Sequence, residues 1–184
     1  MSRSIALVGG SFNPPHFGHL MAALYVRGAL PIDEVWLMPS FHHPFGKPLV
    51  AFEHRVAMCE AMAADLGPWL KVSQIEREVG GEGRTIETLE YLLPRHPDAR
   101  FSLVIGSDIL KDLPSWKSWD RIQALIKVTV LHRAGYPDPR ALGPPLAEVS
   151  STEIRRRLEA KDPPADLVPR AVLAYAAGAH LYGL

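Results

Sequence analysis

Short apolar runs alternate with amphipathic stretches along this chain, and that alternation narrows the possible folds more than any other feature. Ile5 to Val8, Glu34 to Met38, Leu70 to Ser73, Phe101 to Ile105 and Val128 to Leu131 are continuously or almost continuously apolar, as strands covered on both faces of a parallel sheet are. Between them, Gly18 to Leu30, Glu53 to Leu66, Thr85 to Leu93 and Ser118 to Ile126 carry apolar side chains at three- and four-residue spacing, the pattern of helices with one buried face. Strand, helix, strand in repetition predicts an α/β fold with a doubly wound, mostly parallel sheet. After Leu131 no clear strand follows. Ser151 to Ala160 and Leu167 to Ala177 read as helices, so a small helical carboxy-terminal part is expected beside the sheet.

Proline and glycine mark the joints at Pro14-Pro15, Pro44 to Pro48, Gly80-Gly81 with Gly83, and Pro137 to Pro145. None of these is long enough for an interdomain linker, and no repeat or low-complexity tract interrupts the chain, so a single domain, 1–184, is expected. At 184 residues such a domain buries about 70% of the surface its unfolded chain exposes. With 47% hydrophobic and 22% charged residues, disorder, collagen-like repeats and coiled coil are excluded. Twenty basic and twenty acidic side chains cancel. The broad positive field that sequence-independent nucleic-acid binding needs is therefore missing, and neither nucleic acid nor membrane is expected as a partner. An anionic ligand must be met by a local site. Cys59 is the one cysteine, which rules out an intramolecular disulfide and a cysteine-based zinc site within one chain. The opening apolar run is too short for a secretory core, and no stretch approaches the roughly 20 apolar residues of a membrane span. These features together predict a cytoplasmic location.

The first strand runs directly into Gly9-Gly10-Ser11-Phe12-Asn13-Pro14-Pro15-His16-Phe17-Gly18-His19-Leu20, at the carboxyl edge of the sheet where open α/β folds bind ligands. Adjacent glycines let the backbone approach a ligand closely. The helix that follows offers unpaired N–H groups and the positive end of its dipole, a cradle for phosphate. His16 and His19, three apart, can face the same side of the first turn. A plain glycine turn with two surface imidazoles is the competing reading. A zinc site is the weaker one, because no third ligand stands at useful spacing and His42-His43 lie in another loop. The turn is neither a Walker loop nor a Gly-x-Gly-x-x-Gly fingerprint.

The turn resembles the Gly-Gly-[Ser/Thr]-Phe-[Asp/Asn]-Pro-x-His-x-Gly-His motif of the nucleotidylyltransferase superfamily, and within it the chain is most similar to bacterial nicotinate mononucleotide adenylyltransferases. Three further segments match in order and spacing: Thr85 to Leu89; Ile105-Gly106-Ser107-Asp108 followed by Trp116; and Ser150-Ser151-Thr152-Glu153-Ile154-Arg155. The resemblance implies a Rossmann-like nucleotidylyltransferase fold. It also implies a reaction in which ATP and nicotinate mononucleotide give nicotinate adenine dinucleotide and pyrophosphate, with magnesium accompanying the triphosphate and no metal ligand from the protein. It leaves a homo-oligomer open.

The same resemblance, read residue by residue, assigns His16 and His19 to the ATP phosphates and the α-phosphoryl transition state, Arg155 to the β- and γ-phosphates, and Lys47 to either phosphate group. Gly9, Gly10, Ser11, Phe12, Gly18, Gly106, Asp108, Ser151 and Thr152 would line the ATP site, with Asp108 on the ribose hydroxyls. Asn13, Thr85 and Trp116 would meet the mononucleotide, Trp116 by stacking on the pyridine, while Trp119 fills core. Physical chemistry supplies a second reading of some of these residues. Ser150-x-x-Glu153 is a capping box that starts a helix, and Arg155, Arg156 and Arg157 crowd its first turns, where the dipole disfavours cations. An anion would relieve that mismatch at Arg155, whereas Arg156 and Arg157 read as solvated surface. Asp108 and Thr85 can each serve as a helix cap. The loop Ser40 to Pro48 departs from the family's Pro-Pro-His-Lys pattern, and Lys117 stands where relatives have an aromatic residue; a cation there would favour the acid over the amide. Two rival functions remain. One is a nucleotidyltransferase of the same superfamily acting on nicotinamide mononucleotide, phosphopantetheine or a sugar phosphate; the other is a non-catalytic nucleotide-binding module.

Overall fold

The computed structural model describes residues 2–42, 46 and 48–184. Ile5, Ala6, Leu7 and Val8 are all buried, which requires a strand covered on both sides, and they lie at the centre of β1 (Arg3–Gly10). Ile5 and Leu7 enter one apolar cluster while Ala6 and Val8 enter another, the two-residue alternation of a strand inside a sheet. With β2 (Glu34–Pro39), β3 (Leu70–Val72), β4 (Ala99–Gly106), β5 (Lys127–Arg133) and β6 (Leu142–Leu146), the sheet runs in the order β3-β2-β1-β4-β5-β6. Every neighbouring pair is parallel.

Helices cover both faces. α1 (Phe17–Ala29), α2 (Phe52–Ala63), α6 (Ser151–Glu159) and α7 (Arg170–Gly178) bring Ala23, Met58, Ile154 and Val172 to the cluster of Ala6 and Val8. On the opposite face α3 (Ile75–Val79), α4 (Thr85–Leu92) and α5 (Trp119–Leu125) bring Ile75, Leu89 and Ile122 to the cluster of Ile5 and Leu7. The expected helical carboxy-terminal part is thus present, on the same face as α1 and α2. Its first helix starts as expected, with Ser150 Oγ accepting the Glu153 N–H at 3.1 Å. Glu153 does not complete the box, because its carboxylate turns to Arg156 at 2.6 and 2.8 Å.

The strand β6 contradicts the expectation that none follows Leu131. Leu-Gly-Pro-Pro-Leu reads as a loop because Pro144 and Pro145 have no N–H to give to a ladder; at an edge position, paired only with β5 across a register shift after Leu131, that lack is tolerated. The caps differ too. Thr85 is the first helical residue of α4 after Arg84, and Asp108 lies inside the 3-10 helix Ser107–Ser115 that Gly106 precedes, so neither is a cap. In this strand order β1 and β4 are neighbours whose crossovers depart in opposite directions, which opens a crevice beyond their carboxyl ends. Gly9-Gly10 closes β1 and Gly106 closes β4 at that crevice.

Candidate active site

His16 is the extended residue that precedes α1, with φ −151° and ψ 171°. His19 reaches back from the third helical position, and its Nδ1 accepts the His16 backbone N–H at 3.2 Å, as a glutamate does in a capping box. That bond leaves the proton of the neutral ring on Nε2. A Cβ on Gly10 would sit 3.7 Å from this Nε2 and 3.4 Å from the Phe12 ring, so the bare glycine keeps the nitrogen uncovered. The two imidazoles stack with centroids 3.7 Å apart at 29°, and the buried Phe12 ring supports His19 at 4.5 Å. Phe12 holds this place with φ 47°, a left-handed backbone rarely adopted by a side chain of its size. Gly18 is equally constrained: a Cβ would meet His16 Cε1 and Nδ1 at 3.0 Å.

Burial, then the Arg133 guanidinium, holds the His16 imidazole down at about 3. Burial, then His16, then Arg133 push His19 in the same direction. Both rings are therefore neutral at physiological pH. His16 Nδ1 is buried without a hydrogen-bond partner among the described residues.

The imidazoles form one end of a cleft of about 390 Å³ whose walls include Gly9, Gly10, Ser11, Gly18, Gly106, Asp108, Arg133, Thr85 and Trp116. Arg133 Nε lies 3.7 Å from Asp108 Oδ1. Buried Ser107 fastens the two strand ends together, donating to Tyr136 O at 2.6 Å and accepting from Arg133 N at 2.9 Å. Gly106 has no room for a side chain, since a Cβ would strike the Asp108 carboxylate and the stem of Arg133. At the other end Trp116 forms the wall, and Trp119 buttresses it edge-on at 5.8 Å and 86°. A smaller hollow of about 210 Å³ continues past Thr85 and Trp116 to Lys117. Lys117 Nζ is 3.7 Å from Glu87 Oε1. Glu76, also on the cleft, accepts the Thr88 hydroxyl at 2.5 Å, while burial pushes its carboxyl up.

Several expected site residues stand elsewhere. Phe12 is support beneath His19. Asn13 does not line the cleft: it is 3% exposed, and its Oδ1 accepts from Tyr182 Oη at 2.8 Å and Val50 N at 3.3 Å. Its oxygen is committed inside the protein, which moves it from ligand contact to support. Arg155, Ser151 and Thr152 approach the turn from α6: Arg155 Nη1 donates to Asn13 O at 2.7 Å, Ser151 Oγ donates to Pro14 O at 3.0 Å, and Thr152 Oγ1 accepts from Arg155 Nη2 at 3.4 Å. Arg156 and Arg157 pair with Glu153, Asp162 and Asp166 on the surface. Lys47 lies outside the described residues.

Two arginines escaped the sequence reading. Arg133 ends β5 inside the cleft, with nothing local in the sequence to distinguish it. Arg55 left a signal, since it interrupts the apolar stripe Phe52, Val56, Cys59, Met62 of α2. It is 1% exposed and donates to Val50 O and Ser11 O, each at 2.9 Å. Among the described residues no group of three or more metal-ligating side chains gathers, and no helix is long and apolar enough to cross a membrane.

Residues 7–157 match the family model described as cytidylyltransferase-like. A Myxococcus xanthus protein named "probable nicotinate-nucleotide adenylyltransferase" is 61% identical over 180 residues, covering 98% of this chain and 95% of that one. A protein of the same name from Anaeromyxobacter sp. (strain K) is 47% identical over 183 residues, covering 98% and 97%. The fold superposes on Plasmodium falciparum nicotinic acid mononucleotide adenylyltransferase complexed with NaAD with a TM-score of 0.81 at 19% identity, covering 98% of this chain and 97% of that one. The chain belongs to the nicotinate-nucleotide adenylyltransferase family, within the wider cytidylyltransferase-like group.

Proposed function

We propose that the protein is an adenylyltransferase that joins the AMP moiety of ATP to nicotinate mononucleotide, releasing pyrophosphate. One observation carries the reading: a single continuous cleft runs from the stacked imidazoles of His16 and His19 to the indole of Trp116. Phosphate donors at one end and an aromatic face at the other suit a pair of nucleotides that meet at their phosphates. Relatives sharing 61% and 47% of their residues carry that activity in their names.

The mononucleotide phosphate is already an ionised nucleophile, so the step needs no general base and no covalent enzyme intermediate. An oxygen of that phosphate forms a bond to the α-phosphorus, the bond from the α-phosphorus to the bridging oxygen breaks, and pyrophosphate leaves with the electron pair. The protein's task is to align two anions and meet the charge that builds on the departing group. His19 offers Nε2–H to the α-phosphoryl oxygens from beside Gly10, and His16 works from beneath it. Arg133 brings a cation to the same end, Arg155 serves the β- and γ-phosphates from α6, and Lys47 serves either phosphate group. Asp108 takes the ribose hydroxyls, Gly9, Gly10, Ser11 and Gly18 bring backbone close to the triphosphate, and Trp116 with the first turn of α4 at Thr85 takes the pyridine. Gly106, Ser151 and Thr152 complete the ATP side.

Asp108 and Glu76 are acidic side chains on the cleft, and a magnesium ion there would be held mainly by triphosphate oxygens and water. When bound it would neutralise part of the triphosphate charge. Use of ATP and a lone, buried Cys59 fit the cytoplasm. Supplying magnesium-ATP with the acid or the amide mononucleotide and measuring pyrophosphate tests the reading. Turnover at least tenfold faster with the acid is expected; faster turnover with the amide or with phosphopantetheine would replace the acceptor, and none with any acceptor would remove the enzyme.

A further inference from the structure

Bonds from several distant elements converge on the turn between β1 and α1, and one of them comes from the end of the chain. The carbonyl oxygens of Ser11, Asn13 and Pro14 accept from Arg55, Arg155 and Ser151 at 2.9, 2.7 and 3.0 Å. These three bonds fix the main chain of the turn. It is also held through the Asn13 carboxamide, whose oxygen takes the Tyr182 hydroxyl at 2.8 Å and the Val50 N–H at 3.3 Å. Of those two donors the phenol is the closer.

Tyr182 is itself firmly placed. Beyond α7 the Leu181 N–H donates to Ala176 O at 2.9 Å and the Leu184 N–H to Leu181 O at 3.1 Å. Leu181 and Leu184 pack on the cluster that contains Ala6 and Val8. His180 and Tyr182 hold left-handed backbones, φ 53° and 58°, which non-glycine residues keep only where their surroundings over-determine them. Burial pushes the Tyr182 phenol up, so it remains a protonated donor across the physiological range.

We propose that Tyr182 is a positioning residue for adenylyl transfer: its hydroxyl, acting through Asn13, holds the turn in the register that keeps the His16 and His19 rings and the backbone of Gly10 and Ser11 in line with the reacting phosphates. The inference rests on the adenylyltransferase reading above. Without the hydroxyl, Asn13 Oδ1 keeps, among the described residues, the longer bond to Val50. A misplacement of about 1 Å in aligned reactants costs up to about 100-fold in rate, and a partial loosening should cost about tenfold.

Steady-state pyrophosphate release, with thermal melts beside it, tests this on the full chain. Tyr182→Phe should lower kcat about tenfold while KM for ATP and for the mononucleotide each move less than about twofold. Adding Tyr182→Phe to Asn13→Leu should cost nothing further, because the acceptor is already gone. Asn13→Asp, which keeps an oxygen for the phenol, should retain most of kcat. An unchanged kcat in Tyr182→Phe, full multiplication of the two losses, or equal losses in Asn13→Asp and Asn13→Leu would each overturn the inference. Should Tyr182→Phe melt too readily to assay, the Asn13→Asp and Asn13→Leu pair decides by itself. If the wild type prefers another acceptor, the adenylyltransferase reading is revised and the same series is run with that acceptor.

Discussion

At the imidazole end of the cleft, the surfaces offered to a ligand are backbone atoms, two stacked rings and the Arg133 guanidinium, on a turn held by Arg55, Ser151, Arg155 and Tyr182 through hydrogen bonds of 2.7–3.0 Å. At the Trp116 end they are half-exposed side chains from the starts of α4 and α5, with ion pairs at the surface, Arg84 with Glu82 and Lys117 with Glu87, the latter at 3.7 Å and partly in solvent. On the proposed reading transition-state charge develops at the first end, where donors must be fixed before the reaction begins. The second end has only to recognise a ring and a small substituent, which a stack and a few flexible groups accomplish.

This contrast has measurable consequences. His19→Ala should lower kcat by about 100- to 1,000-fold, the usual effect of removing one preorganised donor, with little change in thermal stability. A loss confined to KM would show that the imidazole end is adjustable as well. Trp116→Ala should raise KM for the mononucleotide about tenfold, since a base stacked on an aromatic side chain is worth about 1–3 kcal/mol, and leave KM for ATP nearly unchanged. Equal effects on both substrates would place the indole in the shared part of the cleft. Lys117→Ala should change stability by less than about 0.5 kcal/mol, as exposed ion pairs do, and lower the acid-over-amide preference by less than about threefold.

Acid should also distinguish the two ends. Folding lowers the His16 imidazole from 6.5 to about 3 and moves His19 in the same direction, so the unfolded chain binds more protons than the folded one across that interval. Stability from these rings is complete above pH 6.5 and is lost as pH falls toward 3. Thermal melts between pH 7 and pH 4 should show Tm falling. His16→Gln should flatten that slope, whereas Lys117→Ala should leave it unchanged.

The turn with the stacked imidazoles could be read from the sequence because it is local. Strand, Gly9-Gly10, His16 and His19 occupy one short stretch, and helix geometry alone brings the two imidazoles to one side. Sequence reading also identified Ser150 as a helix start and separated Arg155 from Arg156 and Arg157, which the surface carboxylates pair. It failed where residues act at a distance. Arg133 is one basic residue in a strand until β5 is set beside β4. Asn13 looks like a ligand residue until Tyr182, from the far end of the chain, takes its oxygen. β6 was missed because two prolines signal a loop, and only the sheet reveals that the position is an edge.

What the amino-acid order decides unaided is therefore periodic or short-range: apolar runs on a two-residue or three-to-four-residue period, a glycine turn leading into a helix, two histidines one turn apart. Those follow from backbone geometry, which every residue carries with it. The sheet order, the strand β6, the buried Arg55, the Arg133 in the cleft and the carboxy-terminal tyrosine behind the turn depend on which segments pack together. Burial and hydrogen bonding between residues remote in sequence come into being only when the two apolar clusters close, so tertiary structure assigns those roles.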